Sequence, residues 1–170
     1  MLKPFLLILP LLLASGAVLA APDHKHGGHG KGHHDHGPAT SGYDGHAAAL
    51  GEPGDPKAAT RVVQVIMKDT MRFEPATVTV KKGETIRFVV KNAGQLKHEM
   101  TLGTMAELLE HAEVMQRFPD MEHDDPNAVT VAPGESREIL WKFTKAGSFD
   151  YGCLIPGHLQ GGMKGRIIVR

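Results

Sequence analysis

Near its C-terminus the chain reads Cys153-Leu154-Ile155-Pro156-Gly157-His158-Leu159-Gln160-Gly161-Gly162-Met163. Cys153 is the single cysteine among 170 residues, and the same interval of four residues separates Cys153 from His158 and His158 from Met163. A thiolate, an imidazole and a thioether make up most of a mononuclear copper site of the blue-copper type, which also needs a second imidazole. The alternative interpretation is a buried, apolar cysteine that lies near an unrelated histidine and methionine.

The best candidate for the second imidazole is His98, in the run Lys97-His98-Glu99-Met100. Two histidines and a cysteine in a plane, with a weak axial methionine, form the ligand set of a blue-copper electron-transfer centre. His111 and His123 are alternatives to His98, and Met100 is an alternative to Met163 as the axial ligand. The sequence therefore predicts one copper ion held by His98, Cys153, His158 and Met163.

The first twenty residues have the pattern of a secretory signal peptide. Lys3 gives a positive start, residues 5–13 form a short apolar core, and Val18-Leu19-Ala20 fits a cleavage site. Pro10 interrupts the apolar stretch, which is short for a membrane span, although an uncleaved anchor remains the alternative. Export leaves Cys153 unpaired in an oxidising compartment, where a bound metal ion would occupy the thiolate. We expect no stable membrane insertion after cleavage.

Residues 21–59 consist mostly of Gly, His, Pro, Ala and Asp, and we expect this segment to be disordered because it has little apolar surface to bury. It contains seven of the eleven histidines, namely His24, His26, His29, His33, His34, His36 and His46. Such tracts often bind metal ions, which favours a weak, multi-ion collecting segment over a plain linker. After loss of Lys3 the net charge is about −1, which gives no support for a nucleic-acid partner.

Residues 60–170 have the composition of one domain made of many short strands. The turns at Pro133-Gly134 and Ala146-Gly147 separate some of these strands. The spacing predicts an antiparallel Greek-key β-sandwich. The predicted strands are 61–67, 76–80, 85–90, 98–102, 128–131, 137–143, 148–153 and 165–169.

One insert departs from this β pattern and predicts a short helix that ends at Pro119. Thr104 and Glu107 have the spacing of a capping box. Helical periodicity then places on one face Met105, Leu108, Leu109, Ala112 and Met115. A soft second copper site is one interpretation of Met105, His111, Met115, Met121 and His123. The other interpretation is that the methionines belong to the core and the histidines are solvated. This second interpretation is favoured because methionine often fills irregular cores.

The chain resembles the cupredoxins over about residues 61–170. The resemblance rests on His98, on the Cys153–His158–Met163 spacing and on the approach Tyr151-Gly152-Cys153. It implies an eight-stranded sandwich in which four ligands hold one type 1 copper ion that alternates between Cu(I) and Cu(II). Most cupredoxins have Asn or a similar small polar residue after the first histidine, where this chain has Glu99. The sequence therefore does not indicate which contact links the two ligand loops.

The signal peptide, histidine-rich segment and helical insert resemble the periplasmic copper-tolerance cupredoxins of bacteria more than a plain plastocyanin or azurin. This resemblance implies a periplasmic copper-binding protein for copper tolerance, electron transfer or both. Its expected partners are copper ions and, for a carrier, a redox protein. A dedicated respiratory electron carrier, a metal buffer and a small copper oxidase or nitrite reductase are the alternatives. We expect no enzyme, because the His-x-His pairs such enzymes use occur here only in the histidine-rich segment.

Overall fold

The computed structural model describes residues 47–119 and 124–170. The predicted signal peptide, residues 21–46 of the predicted disordered segment, and Met121 and His123 of the proposed second copper site lie outside the described residues. Within the two described ranges the chain forms ten strands: β1 (Gly51–Pro53), β2 (Arg61–Lys68), β3 (Arg72–Glu74), β4 (Thr77–Val80), β5 (Thr85–Asn92), β6 (His98–Gly103), β7 (Ala128–Val131), β8 (Ser136–Phe143), β9 (Gly147–Gly152) and β10 (Lys164–Val169). One α-helix, α1 (Met105–Arg117), follows β6, and a short 3-10 helix spans Pro56–Ala58.

The strands form two five-stranded sheets, which confirms the predicted all-β sandwich with one helix. The first sheet has the order β1-β8-β5-β2-β3 and the second the order β4-β10-β9-β6-β7. The pairing is mixed rather than wholly antiparallel, because β2 pairs with β5 and β4 pairs with β10 in parallel. Parallel neighbours need a long crossover connection. Here the chain between β2 and β5 passes through β4, which belongs to the other sheet.

The core lies between the two sheets and follows from the alternation of side chains along each strand. In β5, Ile86, Phe88 and Val90 occupy every second position and are fully buried. Trp141 of β8 and Tyr151 of β9 are also fully buried. Because successive strand residues point to opposite faces, such alternation places one apolar face of each strand against the opposite sheet. The buried faces give a rigid sandwich whose ends can carry functional loops.

The N-terminal boundary of the folded domain differs from the prediction. Residues 47–59 belong to the sandwich, not to the predicted disordered segment: β1 pairs with β8, and Ala47 and Leu50 are fully buried in the core. Strand pairing by an edge segment uses backbone groups, so it leaves little trace in a composition rich in Ala, Gly and Pro. The three-residue strand β3, which buries Phe73, was also not predicted.

Helix α1 confirms the predicted capping box. The backbone N–H of Glu107 donates to Thr104 Oγ1 at 3.3 Å, and the Thr104 N–H donates to Glu107 Oε2 at 2.7 Å. Thirteen residues long, α1 ends at Arg117, two residues before Pro119. Within the described parts of the chain, no helix combines the length and apolar composition needed to cross a bilayer.

The buried face of α1 packs against the loop that follows β9. Leu108, Ala112 and Met115 form a small core with Leu154 and Leu159. Leu109 was predicted on this face, but half of its surface is exposed because the buried stripe is narrower than the pattern suggested. Burial of Met115 favours the core interpretation of this methionine. The helix therefore supports the Cys153–Met163 loop from one side.

Candidate metal centre

Two predicted ligands meet because their strands are neighbours. His98 is the first residue of β6, and Cys153 directly follows β9. These strands pair antiparallel, with Thr101 opposite Gly152. Both His98 and Cys153 have no exposed surface, so the sandwich holds an imidazole and a thiol side by side at one end of the core.

The third predicted ligand, His158, completes a cluster of donor atoms. His98 Nδ1 lies 3.3 Å from His158 Nδ1, and Cys153 Sγ lies 3.3 Å from His158 Nδ1. One ligand atom from each of the three residues falls within 4.8 Å of the other two. Imidazole and thiolate bind a first-row metal at roughly 2.0–2.3 Å, so donors to one ion lie roughly 3–4 Å apart. The spacing therefore fits a single ion, and the two-nitrogen, one-sulfur donor set suits copper.

Backbone hydrogen bonds close the loop of residues 153–163 and place the backbone of Met163 next to Cys153 and His158. The Cys153 N–H donates to the Met163 carbonyl at 3.1 Å, and the Met163 N–H donates to the His158 carbonyl at 3.0 Å. Gly157 and Gly162 adopt positive φ angles of 87° and 94°. The left-handed region favours glycine because a Cβ is disfavoured there. Met163 is fully buried.

The sulfur of Cys153 lies in an apolar, hydrogen-bonded setting. Burial raises the pKa of the thiol to about 12, while the backbone N–H groups of Glu99 and Ile155 act in the opposite direction. The Glu99 N–H lies 3.3 Å from Sγ. A metal ion must displace the thiol proton to bind here, and these N–H donors are placed to stabilise the resulting thiolate.

The unusual Glu99 has a clear structural role despite its departure from the small polar residue of most cupredoxins. Its backbone N–H makes the contact to Cys153 and thereby links the two ligand segments. Its side chain is buried and accepts a hydrogen bond from the Thr101 hydroxyl at 2.6 Å. The link between the ligand loops therefore depends on the main chain at this position.

The far side of the His98 ring contacts a carboxylate that the sequence reasoning missed. His98 Nε2 lies 3.0 Å from Asp69 Oδ1, in the turn between β2 and β3. The pKa of Asp69 is lowered, most by the hydrogen bond from the Gln95 N–H and next by the hydrogen bond from His98. The sequence shows only a turn residue after a strand, with no signal that connects it to a histidine 29 positions later.

His158 is the predicted ligand that reaches the surface, since it is partly exposed whereas His98, Cys153 and Met163 are buried. Partial burial, and then the neighbouring His98, lower the pKa of His158. A lower pKa keeps the imidazole neutral and able to donate a lone pair to a metal at neutral pH.

The alternative ligands lie in three different parts of the chain. Met100 lies two residues beyond His98 on β6 and is fully buried in the main hydrophobic core. His111 lies on α1 and is not a member of the donor cluster found among residues 47–119 and 124–170. His123 lies outside the described residues. The donor cluster thus contains three of the predicted ligands, His98, Cys153 and His158, and leaves out His111. Met163 and Met100 are both buried in the main core, so the choice between them as axial ligand stays a prediction.

Comparison with known proteins gives relatives that match most of the chain. The chain is 52% identical over 163 residues to the copper-resistant cuproprotein CopI of Rubrivivax gelatinosus, covering 95% of this chain and 96% of that protein. It is 38% identical over 154 residues to CopI of Pseudomonas aeruginosa, covering 74% and 84% of the two chains.

A solved structure and a family model agree with this relationship. The reduced auracyanin of Roseiflexus castenholzii has the same fold, with a TM-score of 0.56 at 22% identity over 66% of this chain and 98% of that one. Residues 60–170 match the family model for copper-binding proteins of the plastocyanin/azurin family. The chain therefore belongs to the plastocyanin/azurin family of copper-binding proteins, the cupredoxins, and is similar to CopI.

Proposed function

We propose that this cupredoxin holds one type 1 copper ion through His98 Nδ1, Cys153 Sγ and His158 Nδ1, with Met163 as a weak axial ligand. The observation that carries the proposal is the cluster of three donor atoms within 4.8 Å of one another. The conversion of Cu(II) to Cu(I) and back supplies one-electron chemistry when copper is bound. Thiolate and thioether favour Cu(I), and imidazole also suits Cu(II), so the donor set supports both oxidation states.

The surrounding fold keeps this donor set in one geometry and limits water. The two ligands attached to strands, His98 and Cys153, are fixed by the pairing of β6 with β9. Hydrogen bonds within residues 153–163 fix the other two. Because a ligand set that moves little needs little reorganisation when charge changes, the site suits electron exchange. The partly exposed His158 edge is the proposed point at which a redox partner exchanges an electron.

We propose a carrier or copper-handling protein rather than an enzyme. Copper oxidases and nitrite reductases need further copper ligands beyond a type 1 centre. In this chain the two His-x-His pairs, His24-Lys25-His26 and His34-Asp35-His36, precede the described residues. The donor cluster formed by residues 47–119 and 124–170 comprises His98, Cys153 and His158, which suffice for a type 1 centre but not for the further copper site of those enzymes.

The proposed cellular role is copper tolerance in the periplasm, which rests on the similarity to CopI proteins described as copper-resistant. We expect loss of the gene to make the host sensitive to added copper, with normal growth in its absence. Expression of the wild-type chain should restore tolerance. Expression of Cys153→Ser should not, because it lacks the thiolate of the redox site. A respiratory defect at ordinary copper levels, with unchanged tolerance, would instead indicate a dedicated electron carrier.

We also propose that the histidine-rich segment collects metal ions for this site. The fold sets the limits of the test, because a deletion must stop before Ala47 and Leu50, which pack in the core. Removal of residues 21–46 takes away seven imidazoles and no described strand. The number of copper ions bound per chain at neutral pH should fall toward one while the visible spectrum persists. An unchanged number would identify the segment as a linker.

A further inference from the structure

The His98 ring is engaged on both of its nitrogen atoms. Nδ1 faces the donor cluster, 3.3 Å from His158 Nδ1, and Nε2 faces Asp69 Oδ1 at 3.0 Å. His98 has no exposed surface, whereas just over a third of the Asp69 side chain is exposed. The carboxylate therefore caps the buried imidazole from the solvent side. Because each ring nitrogen has one partner, the Asp69 contact determines which nitrogen carries the proton.

The neighbouring turn is shaped to hold this carboxylate. The Gln95 N–H donates to Asp69 Oδ2 at 2.7 Å, and the Leu96 N–H donates to Asp69 Oδ1 at 3.2 Å. A Cβ added at Gly94 would overlap Asp69 Oδ1, so the absence of a side chain at Gly94 makes room for the carboxylate. The Asn92 side chain accepts from the Gly94 N–H and donates to the Leu96 carbonyl, which fixes the turn.

We propose that Asp69 is a positioning residue of the copper centre that keeps the His98 proton on Nε2 and lowers the reduction potential of the bound copper. This inference rests on the proposed function, in which His98 binds copper through Nδ1. With the proton on Nε2, the Nδ1 lone pair points into the donor cluster. A metal-binding histidine that donates to a carboxylate is fixed in tautomer and ring orientation and becomes a more basic ligand.

The direction of the effect on the potential follows from charge. With one thiolate among neutral ligands, the Cu(II) site carries a net charge of +1, and the Cu(I) site is neutral. A carboxylate hydrogen-bonded to a ligand therefore stabilises the oxidised site more than the reduced one. Partner groups of this kind typically contribute about 10–100-fold to metal affinity. Because Asp69 is partly exposed, solvent and salt screen its charge, and we expect an effect of about tenfold on the affinity for Cu(II).

The first test compares Asp69→Asn with Glu74→Gln. Both substitutions remove one negative charge from the β2–β3 hairpin, but Glu74 pairs with Lys68 on the exposed surface. Asp69→Asn should weaken Cu(II) binding about tenfold relative to Cu(I), which raises the potential by about 59 mV for a one-electron couple. Glu74→Gln should leave the potential close to that of the wild type. Equal shifts in the two variants, or no shift in Asp69→Asn, would overturn the proposal.

The second test moves the carboxylate without removing it. Gly94→Ala should displace Asp69, since its Cβ would overlap the present position of Oδ1. The reduction potential should rise in this variant. In the double variant with Asp69→Asn, the Gly94→Ala substitution should cause no further rise in the potential. A full additive shift in the double variant would show that the effect of Gly94→Ala does not pass through Asp69.

The third test needs no copper. Nitrogen-15 NMR of the metal-free full chain should place the His98 proton on Nε2 in the wild type and move it toward Nδ1 in Asp69→Asn. A wild-type proton on Nδ1 would overturn the positioning role. Failure of the proposed function gives a different result, because Cys153→Ser would then keep the wild-type visible spectrum whatever Asp69 does.

Discussion

The two sheets contribute differently to the metal centre. The sheet β4-β10-β9-β6-β7 carries the proposed ligands: His98 opens β6, Cys153 follows β9, and Met163 precedes β10. The sheet β1-β8-β5-β2-β3 supplies surrounding groups, since Asp69 lies between β2 and β3 and contacts His98. Arg72 of β3 also donates to the Gly161 carbonyl at 3.1 Å. One sheet therefore holds the strands next to the proposed donor atoms, and groups of the opposite sheet contact His98 and the ligand loop at the same end of the core.

The comparison predicts that a ligand can be removed without loss of the fold. Cys153→Ser should abolish the intense visible absorption that a thiolate–Cu(II) bond gives, because a hydroxyl does not replace the thiolate. The sandwich should remain folded, since the replacement is nearly the same size. Visible absorption and circular dichroism of the copper-loaded variant check both points. Retention of the intense band would show that Cys153 is not the thiolate ligand.

Disruption of the supporting sheet should affect stability first. Phe88 of β5 is fully buried and stacks edge to face with Phe143, with ring centroids 6.2 Å apart. Phe88→Ala should lower the free energy of unfolding by about 3–5 kcal/mol through the cavity it leaves. Val62→Ala, at a position 56% exposed on the adjacent strand, is the control and should change it by less than about 0.5 kcal/mol. Urea denaturation measures both, and equal losses would contradict the assignment of the core.

Replacement of the axial ligand should change the redox properties more than the copper content. Met163→Leu should leave copper bound and shift the reduction potential, because the bond to the axial thioether is expected to be weak. Met100→Leu is the matched control and should leave the potential unchanged if Met100 serves only the core. Voltammetry with a metal count separates the cases. Loss of copper from folded Met163→Leu would identify Met163 as a primary ligand. A shift of the potential in Met100→Leu alone would indicate that Met100, rather than Met163, is the axial ligand.

The smallest effect is expected at the helix that supports the ligand loop. Thr104→Ala removes the capping hydroxyl of α1 and should lower the free energy of unfolding by about 1 kcal/mol. Thr104→Ser should keep most of this stability because it retains the hydroxyl. The visible spectrum should be the same in both, since α1 reaches the loop through Leu154 and Leu159 rather than through a ligand. A changed spectrum in Thr104→Ala would show that α1 also sets the copper geometry.

The ligand-bearing sheet could be predicted from the sequence better than the supporting turns. Cys153, His158 and Met163 occur close together in the chain, and His98 begins a strand whose apolar residues show its extent. The predicted strands agree with the observed ones to within two residues at each end. These features are local, so residue type and spacing are sufficient to find them.

The contact of Asp69 with His98 depends on the distant sequence positions that the sandwich brings together. An aspartate after a strand is an ordinary turn residue, and nothing local indicates that Gln95 and Leu96 will donate to it. Parallel pairing of β2 with β5 was missed for the same reason. The core contacts of Ala47 and Leu50 were missed for a different reason. One leucine in a stretch of small residues is too weak a pattern to predict burial in the core.

The proposed copper centre requires that Cys153, His98 and His158 bind one copper ion together. The most direct test is a titration of the full metal-free chain with Cu(II), followed by its visible absorption and by a thiol assay. We predict an intense band that grows as the free thiol disappears and stops when one thiolate-bound copper per chain has formed, with later additions of copper giving only weak absorption. Weak absorption throughout, with the thiol of Cys153 still free, would contradict the claim.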